Sequence, residues 1–440
     1  MAPSTVDLLF LTFNCAKALI NTPVFANHLE VAFGQNATEL PDLVVLSLQE
    51  VAPLSYAFIG DYFLRPYIER FDTAINLAAS QHGLQRGAPV PAMSTAERTT
   101  QRKRYELIKS KNVGYTAILL FAKDPSRIMD IKEAEVGFGA ADMGNKGAVG
   151  LRTIYDAGEN GFAEMTFVAT HLAAMEWNLP RRNANWASIM RCMTFGDPLP
   201  LLEMMRGGKN PTAPEGDAQG EGAGLLQGEQ VAPDMDELRK QLHELSLFKP
   251  SSHLFVGGDL NYRISTSSPP PNAAFPSLEP GSENYYPRFF ELDQLTREKA
   301  AGRTLHGLTE APVHFPPTYK YDVLASDGKD EDEMAPVLWN FASHRYPSWT
   351  DRILYLDLPN WATSKQVGSM KVQWLATSTD PRVRLPTELD PEAWQRRMVA
   401  RRRELLVGWS MFLWSTKEGA CILATFLIAS IGGYWVYRSA

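Results

Sequence analysis

The stretch His253-Leu-Phe-Val-Gly-Gly-Asp-Leu-Asn-Tyr-Arg-Ile264 limits the possible folds more than any other part of the chain. Its apolar run, Leu254 to Val256, reads as a buried strand, and the two glycines that follow end it. Asp259 and Asn261 come next. A strand that stops at Gly-Gly and then presents a carboxylate and an amide sets polar chemistry at a sheet edge. Asp259 is suited to act as a general base there, and Asn261 to orient a water or donate to an oxygen. The plain alternative is a turn after a strand, where Asp and Asn are favoured for conformational reasons.

Other apolar runs end in the same way. Leu8 to Asn14 reads as a first core strand and Leu43 to Glu50 as a second, with helical length and polarity between them from Val24 to Glu39. Val113 to Phe121, Ala148 to Ile154, Met165 to His171 and Arg352 to Leu356 read as further strands, and Trp186 to Leu202 as a helix. Many strands mixed with fewer helices predict an α/β sandwich. The 440 residues, 45% of them hydrophobic, suffice for one large domain with insertions or for two or three domains. Arg206 to Pro233, rich in Gly, Pro, Gln and acids, reads as a disordered insertion. Ser265 to Pro280 reads as a Pro/Ser-rich loop, and the acidic run Asp327 to Glu333 as a solvated hairpin tip.

Charge and cysteines narrow the classes. A net charge of −7 argues against a general nucleic-acid binder. Cys15, Cys192 and Cys421 are far apart, which implies a reducing compartment with neither a disulfide framework nor structural zinc. The N-terminal residues lack a secretory pattern, so the main domain is expected in the cytosol.

Set side by side, the strand ends offer Asn14, Glu50, His171, Asp259 with Asn261, and Asp351. Strand ends of one sheet converge on one pocket. Carboxylates, amides and a His gathered there suit Mg²⁺, which takes carboxylate and phosphate oxygens, and an Asp-activated water that attacks phosphorus.

The sequence resembles the inositol polyphosphate 5-phosphatase family, within the endonuclease/exonuclease/phosphatase superfamily related to DNase I. The matching stretches are Thr12-Phe-Asn14, Leu48-Gln-Glu50, Gly144-Asn-Lys-Gly147, Thr170-His-Leu-Ala-Ala174, Gly258 to Ile264, Pro317-Thr-Tyr-Lys-Tyr321 and Arg345 to Leu354. The resemblance implies a DNase I-like four-layer α/β sandwich of two packed mixed sheets. It implies Glu50 as the principal Mg²⁺ ligand with Asn14 beside it. His171 would contact the scissile phosphate, Asp259 would orient or deprotonate the water, and Asn261 would hold the phosphate. Tyr319 and Lys320, helped by Arg345, would grip the neighbouring 4-phosphate. Asn145 and Lys146 would approach the 1-phosphate side. Lysines serve as point charges for such phosphates, and flanking glycines let backbone come close to an anion.

Two departures stand out. Phe13 occupies a position where the family has Trp. The family's terminal Ser-Asp-His motif corresponds to Ser378-Thr-Asp-Pro-Arg-Val383, so Asp380 is in place but Pro381 replaces the His expected to pair with Asp351. Proline has neither a side-chain donor nor a backbone N–H. Three readings follow: an impaired enzyme that binds phosphoinositides as a scaffold, substitution by another His such as His344 or His314, or a missing short stretch. A nuclease of the same superfamily is a further alternative, opposed by the Pro317–Tyr321 and Arg345–Leu354 motifs.

Residues 420–437 are 18 residues without a charge, spanning about 27 Å as a helix, enough for a thin bilayer. Tyr434, Trp435 and Tyr437 suit an interfacial belt. The preceding segment, 390–416, carries Arg396, Arg397, Arg401, Arg402 and Arg403, which are expected to meet anionic headgroups. The layout predicts a catalytic domain over 5–384 and a tail anchor, resembling the tail-anchored lipid 5-phosphatase branch of the family. The expected setting is the endoplasmic reticulum membrane, with the outer mitochondrial membrane as the competitor. The expected substrate is a phosphoinositide, acted on by a monomer.

Overall fold

The computed structural model describes residues 6–35, 40–85, 103–158, 161–207, 234–249, 252–324, 339–356 and 387–439. Asp380, Pro381, the acidic run Asp327 to Glu333 and all but the first two residues of the 206–233 insertion lie outside them.

Two sheets stack face to face. The first has the order β1-β2-β4-β3, from β1 (Leu8–Asn14), β2 (Leu43–Gln49), β3 (Glu106–Val113) and β4 (Thr116–Ala122). The second comprises β5 (Ile128–Gly137), β6 (Gly147–Asp156), β7 (Phe162–His171), β8 (His253–Asp259), β9 (Leu308–Thr309) and β12 (Asp351–Leu356), in the order β5-β6-β7-β8-β12-β9. Both are mixed, with β1–β2 and β7–β8 parallel. A small antiparallel ribbon of β10 (Tyr321–Val323) and β11 (Trp339–Phe341) stands apart from them.

Between the sheets lies an apolar layer that includes Val45, Leu120, Val149 and Phe167, and the rings of Phe10, Phe167 and Phe255 stack across it. Strands buried on both faces read as near-continuous apolar runs, which is why β2 and β4 are so uniform. Gly257 belongs to this layer: a Cβ there would come within 2.3 Å of the Phe10 ring. Helices α1 (Thr22–Gln35) and α3 (Asp61–Gln85) cover the outer face of the first sheet through Leu29, Phe33, Phe71 and Ile75. Helix α4 (Leu179–Cys192) covers the second through Trp186 and Ile189. The result is a four-layer α/β sandwich of two packed mixed sheets, as expected.

Several boundaries differ from expectation. The run expected as one strand from Val113 is a hairpin, because Gly114 adopts φ +49° and turns β3 back into β4. The helix expected over 186–202 is two helices, α4 and α5 (Leu199–Gly207), and α6 (Met235–Leu245) follows.

Segment 390–416 differs most. Helix α8 (Ala393–Ser415) packs against α2 (Leu54–Ile59) and the β5–β6 loop, burying Ala393, Arg397, Ala400, Glu404, Gly408 and Phe412 at three- and four-residue spacing. Of its five arginines, Arg396, Arg397 and Arg401 turn inward to protein partners instead of headgroups. Only Arg402 and Arg403 are exposed. The burial stripe docks α8 onto the domain, so three of the arginines expected to meet headgroups are engaged with protein groups. The following helix α9 (Lys417–Ser439) has a mean hydropathy of 1.7 and is 6% buried, and among the described residues it alone is long and apolar enough to cross a membrane.

Candidate active site

Register alone brings three of the expected residues abreast. In the second sheet His171 pairs with Asp259 across the parallel β7–β8 ladder, and Asp259 pairs with Asp351 across the antiparallel β8–β12 ladder. Residues opposite one another share a face of the sheet. In the first sheet Asn14 pairs with Gln49, which puts Glu50 next to Asn14 at the adjoining end of β1 and β2. The sheets are tied near this end by the Ser47 hydroxyl, which donates to the Gly257 carbonyl at 2.9 Å.

The side chains then meet. The Asn14 amide approaches the Asp259 carboxylate at 3.4 Å, and His171 Nε2 lies 3.4 Å from the same oxygen. The Lys146 ammonium contacts His171 Nε2. Asp259 accepts from the backbone N–H of Asn261 at 3.1 Å, and Asn261 adopts φ +57°, a conformation Asn tolerates well. Asn261 Nδ2 donates to the Leu172 carbonyl at 3.1 Å, and an amide nitrogen carries a second proton.

Charge state follows from burial and neighbours. Burial would raise the Asp259 carboxyl, but the His171 hydrogen bond and the charges of His171, Lys146 and Arg263 outweigh it and hold it below the ordinary range. Asp351 goes the other way, raised by burial and then by the Asp259 charge, and relieved in part by Thr318 and Thr350. Burial lowers both His171 and Lys146, opposed by the Asp259 carboxylate. An ionised Asp259 at the centre of these groups is in the state a general base needs.

Glu50 is part-exposed at the strand end with φ +49° and pairs with Lys17 at 3.2 Å. Its carboxylate and the Asn14 amide form a small, hard oxygen donor set. Such a set fits Mg²⁺, which binds through one or two carboxylates, keeps several waters and takes phosphate oxygens from the substrate.

Around the rim the expected residues divide. Tyr319 bridges to Ser348, and Lys320 Nζ lies 3.4 Å from His344 Nε2 at the surface. Arg345 is held by buried Glu176 at 3.2 Å and by Ser268 Oγ at 2.7 Å, so its guanidinium is already committed to the loops it joins. Lys146 stands beside His171 and Asp259 and not apart from them, while Asn145 is exposed. His344 therefore sits beside Lys320, whereas Asp351 accepts from Thr350 at 2.8 Å.

Arg263 is a residue that sequence reasoning missed. Buried, it donates to the Asn261 backbone carbonyl at 3.1 Å and to its side-chain oxygen at 2.5 Å, and its guanidinium lies 3.7 Å from the Tyr319 ring centre. It locks the Asp259–Asn261 turn to Tyr319. Its signal is a cation inside the Gly258–Ile264 motif, two residues after Asn261.

Residues 11–380 match the endonuclease/exonuclease/phosphatase family 2. The chain belongs to that family. Over 234 residues it is 32% identical to type II inositol polyphosphate 5-phosphatase 15 of Arabidopsis thaliana, covering 52% of this chain and 18% of that protein. It is 25% identical over 338 residues to synaptojanin of Caenorhabditis elegans, covering 76% of this chain and 22% of that protein. The chain thus spans about a fifth of the length of these relatives. The crystal structure of the inositol polyphosphate 5-phosphatase domain of SPsynaptojanin, in complex with inositol (1,4)-bisphosphate and calcium ion, aligns with a TM-score of 0.46 and 22% identity, covering 80% of this chain and 76% of that one.

Proposed function

We propose that this protein is a membrane-tethered phosphoinositide 5-phosphatase that removes the 5-phosphate of phosphatidylinositol 4,5-bisphosphate. The observation that carries this reading is the row His171–Asp259–Asp351, closed over by Asn14, Glu50 and Lys146 at one end of the sandwich. Relatives named as inositol polyphosphate and phosphatidylinositol 5-phosphatases support the substrate class.

Asp259, held ionised, orients a water and takes its proton as the oxygen attacks phosphorus. A bond forms from that oxygen to phosphorus while the bond from phosphorus to the ring oxygen breaks, and the departing ring oxygen takes a proton from solvent to leave as the hydroxyl, Asp259 returning its own proton to solvent. Lys146, His171 and the second amide proton of Asn261 face the phosphoryl oxygens, where fixed donors lower the barrier most. Asn14 and Glu50 would hold Mg²⁺, which when bound neutralises a phosphoryl oxygen and the charge developing on the leaving group. Lys320 and Tyr319 provide contacts for the 4-phosphate at the rim.

Helix α9 would span the bilayer and hold the site at high effective concentration against headgroups. Exposed Leu406, Trp409 and Trp414, with Arg402 and Arg403, form the face of α8 suited to the interface. The short span favours the endoplasmic reticulum over the plasma membrane.

Phosphate release from dioctanoyl phosphatidylinositol 4,5-bisphosphate tests this reading. Release that requires Mg²⁺, stops with EDTA and is lost in Asp259→Ala supports it. Binding of the lipid without turnover would favour the scaffold reading that Pro381 suggests.

A further inference from the structure

Helix α8 does more than lead into α9. The loop from Phe138 to Lys146 joins β5 to β6 and delivers Lys146 to His171. It is a poor loop for holding a shape unaided. Ala141 and Asp142 adopt φ +52° and +60°, which side-chain-bearing residues rarely take. Its own backbone contributes few bonds, among them Gly139 N–H to the Met143 carbonyl at 2.8 Å and Phe138 N–H to the Lys146 carbonyl at 2.8 Å.

Helix α8 supplies the rest. The Gly144 N–H donates to the Glu404 carboxylate at 2.7 Å, and Glu404 is fully buried. Arg397, two turns earlier on the same face, pairs with both Glu404 oxygens at 2.5 and 3.0 Å. Arg397 also donates to the Asp142 carbonyl at 3.0 Å and to Glu135 on β5 at 2.8 Å. Arg396 reaches the Asp142 carboxylate at 3.2 Å and Asp390 at 2.7 Å. Thus Asp142 and Gly144, two of the last residues before Lys146, are fixed by a helix that continues directly into α9.

We infer that Glu404 and Arg397 are positioning residues for Lys146, and that α8 is part of the catalytic unit. Neither residue touches His171 or Asp259. They act by setting the backbone from which the Lys146 ammonium is aimed. A buried pair whose only role was to dock α8 would not need to spend a carboxylate oxygen on a loop N–H.

The inference rests on the phosphatase reading in only one of its two readouts. The full chain in dodecyl maltoside micelles is compared with the double variant Arg397→Met/Glu404→Leu and with Glu404→Gln. Replacing a buried pair by apolar groups is often neutral for stability, so the double variant is expected to stay folded. It should melt close to wild type. Deuterium uptake in peptides covering 138–147 should become faster by about tenfold or more, with β6–β8 peptides unchanged. Turnover should show kcat lowered ~10-fold or more and KM little changed, as expected when a catalytic group loses its aim. Glu404→Gln keeps an oxygen for the Gly144 N–H and should recover most of both effects.

Unchanged exchange in 138–147 would overturn the inference. So would uniform acceleration across all peptides with a large fall in melting temperature, since the pair would then support the fold as a whole. If wild type releases no phosphate, the phosphatase reading fails while the exchange comparison still decides the role of Glu404.

Discussion

Asp259 and Asp351 stand opposite one another across the antiparallel β8–β12 pair, two carboxylates on one face of one sheet. They do not ionise alike. Asp259 has His171, Lys146 and Arg263 around it and is held low, whereas Asp351 has two threonine hydroxyls and the charge of Asp259.

The first prediction concerns Asp351. Burial, then Asp259, pushes its carboxyl up to about 7 from the ordinary 3.8. The folded state keeps a proton that the unfolded chain releases, so the stability contributed is complete below the unfolded value and is lost as pH rises through about 7. Asp351→Asn should therefore raise the melting temperature of the metal-free protein at pH 8 by several degrees, roughly 2–4 °C per kcal/mol, and change little at acid pH. The same variant should lower kcat by about 100-fold. Thermal melts with EDTA and a phosphate assay read the two effects.

The second concerns His253 at the start of β8. Burial pushes its imidazole down to about 4, from an ordinary 6.5. The unfolded chain binds the proton first, so this contribution is complete above pH 6.5 and is lost as pH falls toward 4. The loss amounts to roughly 2–3 kcal/mol. In His253→Leu, urea midpoints at neutral pH and at the acid end of that window should lie closer together than in wild type.

The third concerns the contact between sheets. Gly257→Ala would drive a methyl group into the Phe10 ring and should cost ~1–3 kcal/mol. Shortening the ring side chain as well, in Gly257→Ala/Phe10→Leu, should recover part of that loss. Urea denaturation of the two single variants and the double variant gives the coupling.

The fourth concerns Arg263. Arg263→Lys keeps a cation but loses the fork that grips Asn261 twice and lies on Tyr319. It should lower kcat/KM by ~10- to 100-fold, with a smaller change in melting temperature. Steady-state rates on a short-chain lipid check it.

What the sequence made legible follows from where its signals are local. His171, Asp259 and Asp351 each end or begin an apolar run, and strand ends in neighbouring register come together, so the row could be anticipated. Strand β5 is not legible because Lys132, Glu133 and Glu135 break its apolar pattern; Lys109 and Lys111, the partners of Glu133 and Glu135, lie on β3 of the other sheet. Arg396, Arg397 and Arg401 of α8 depart from expectation for the same reason. A basic cluster before an apolar span looks headgroup-facing until Glu135, Asp142 and Phe58 are seen beside it, and no local pattern shows that. The role of Lys146 depended on the fold of a loop, which periodicity does not describe.

The identity of the product tests the central claim most directly. The full chain is incubated with Mg²⁺ and dioctanoyl phosphatidylinositol 4,5-bisphosphate, and the lipid is separated by chromatography that resolves the monophosphate isomers. Phosphatidylinositol 4-phosphate, absent with Asp259→Ala, is the predicted product. Phosphatidylinositol 5-phosphate, or unchanged substrate with the wild-type chain, would contradict it.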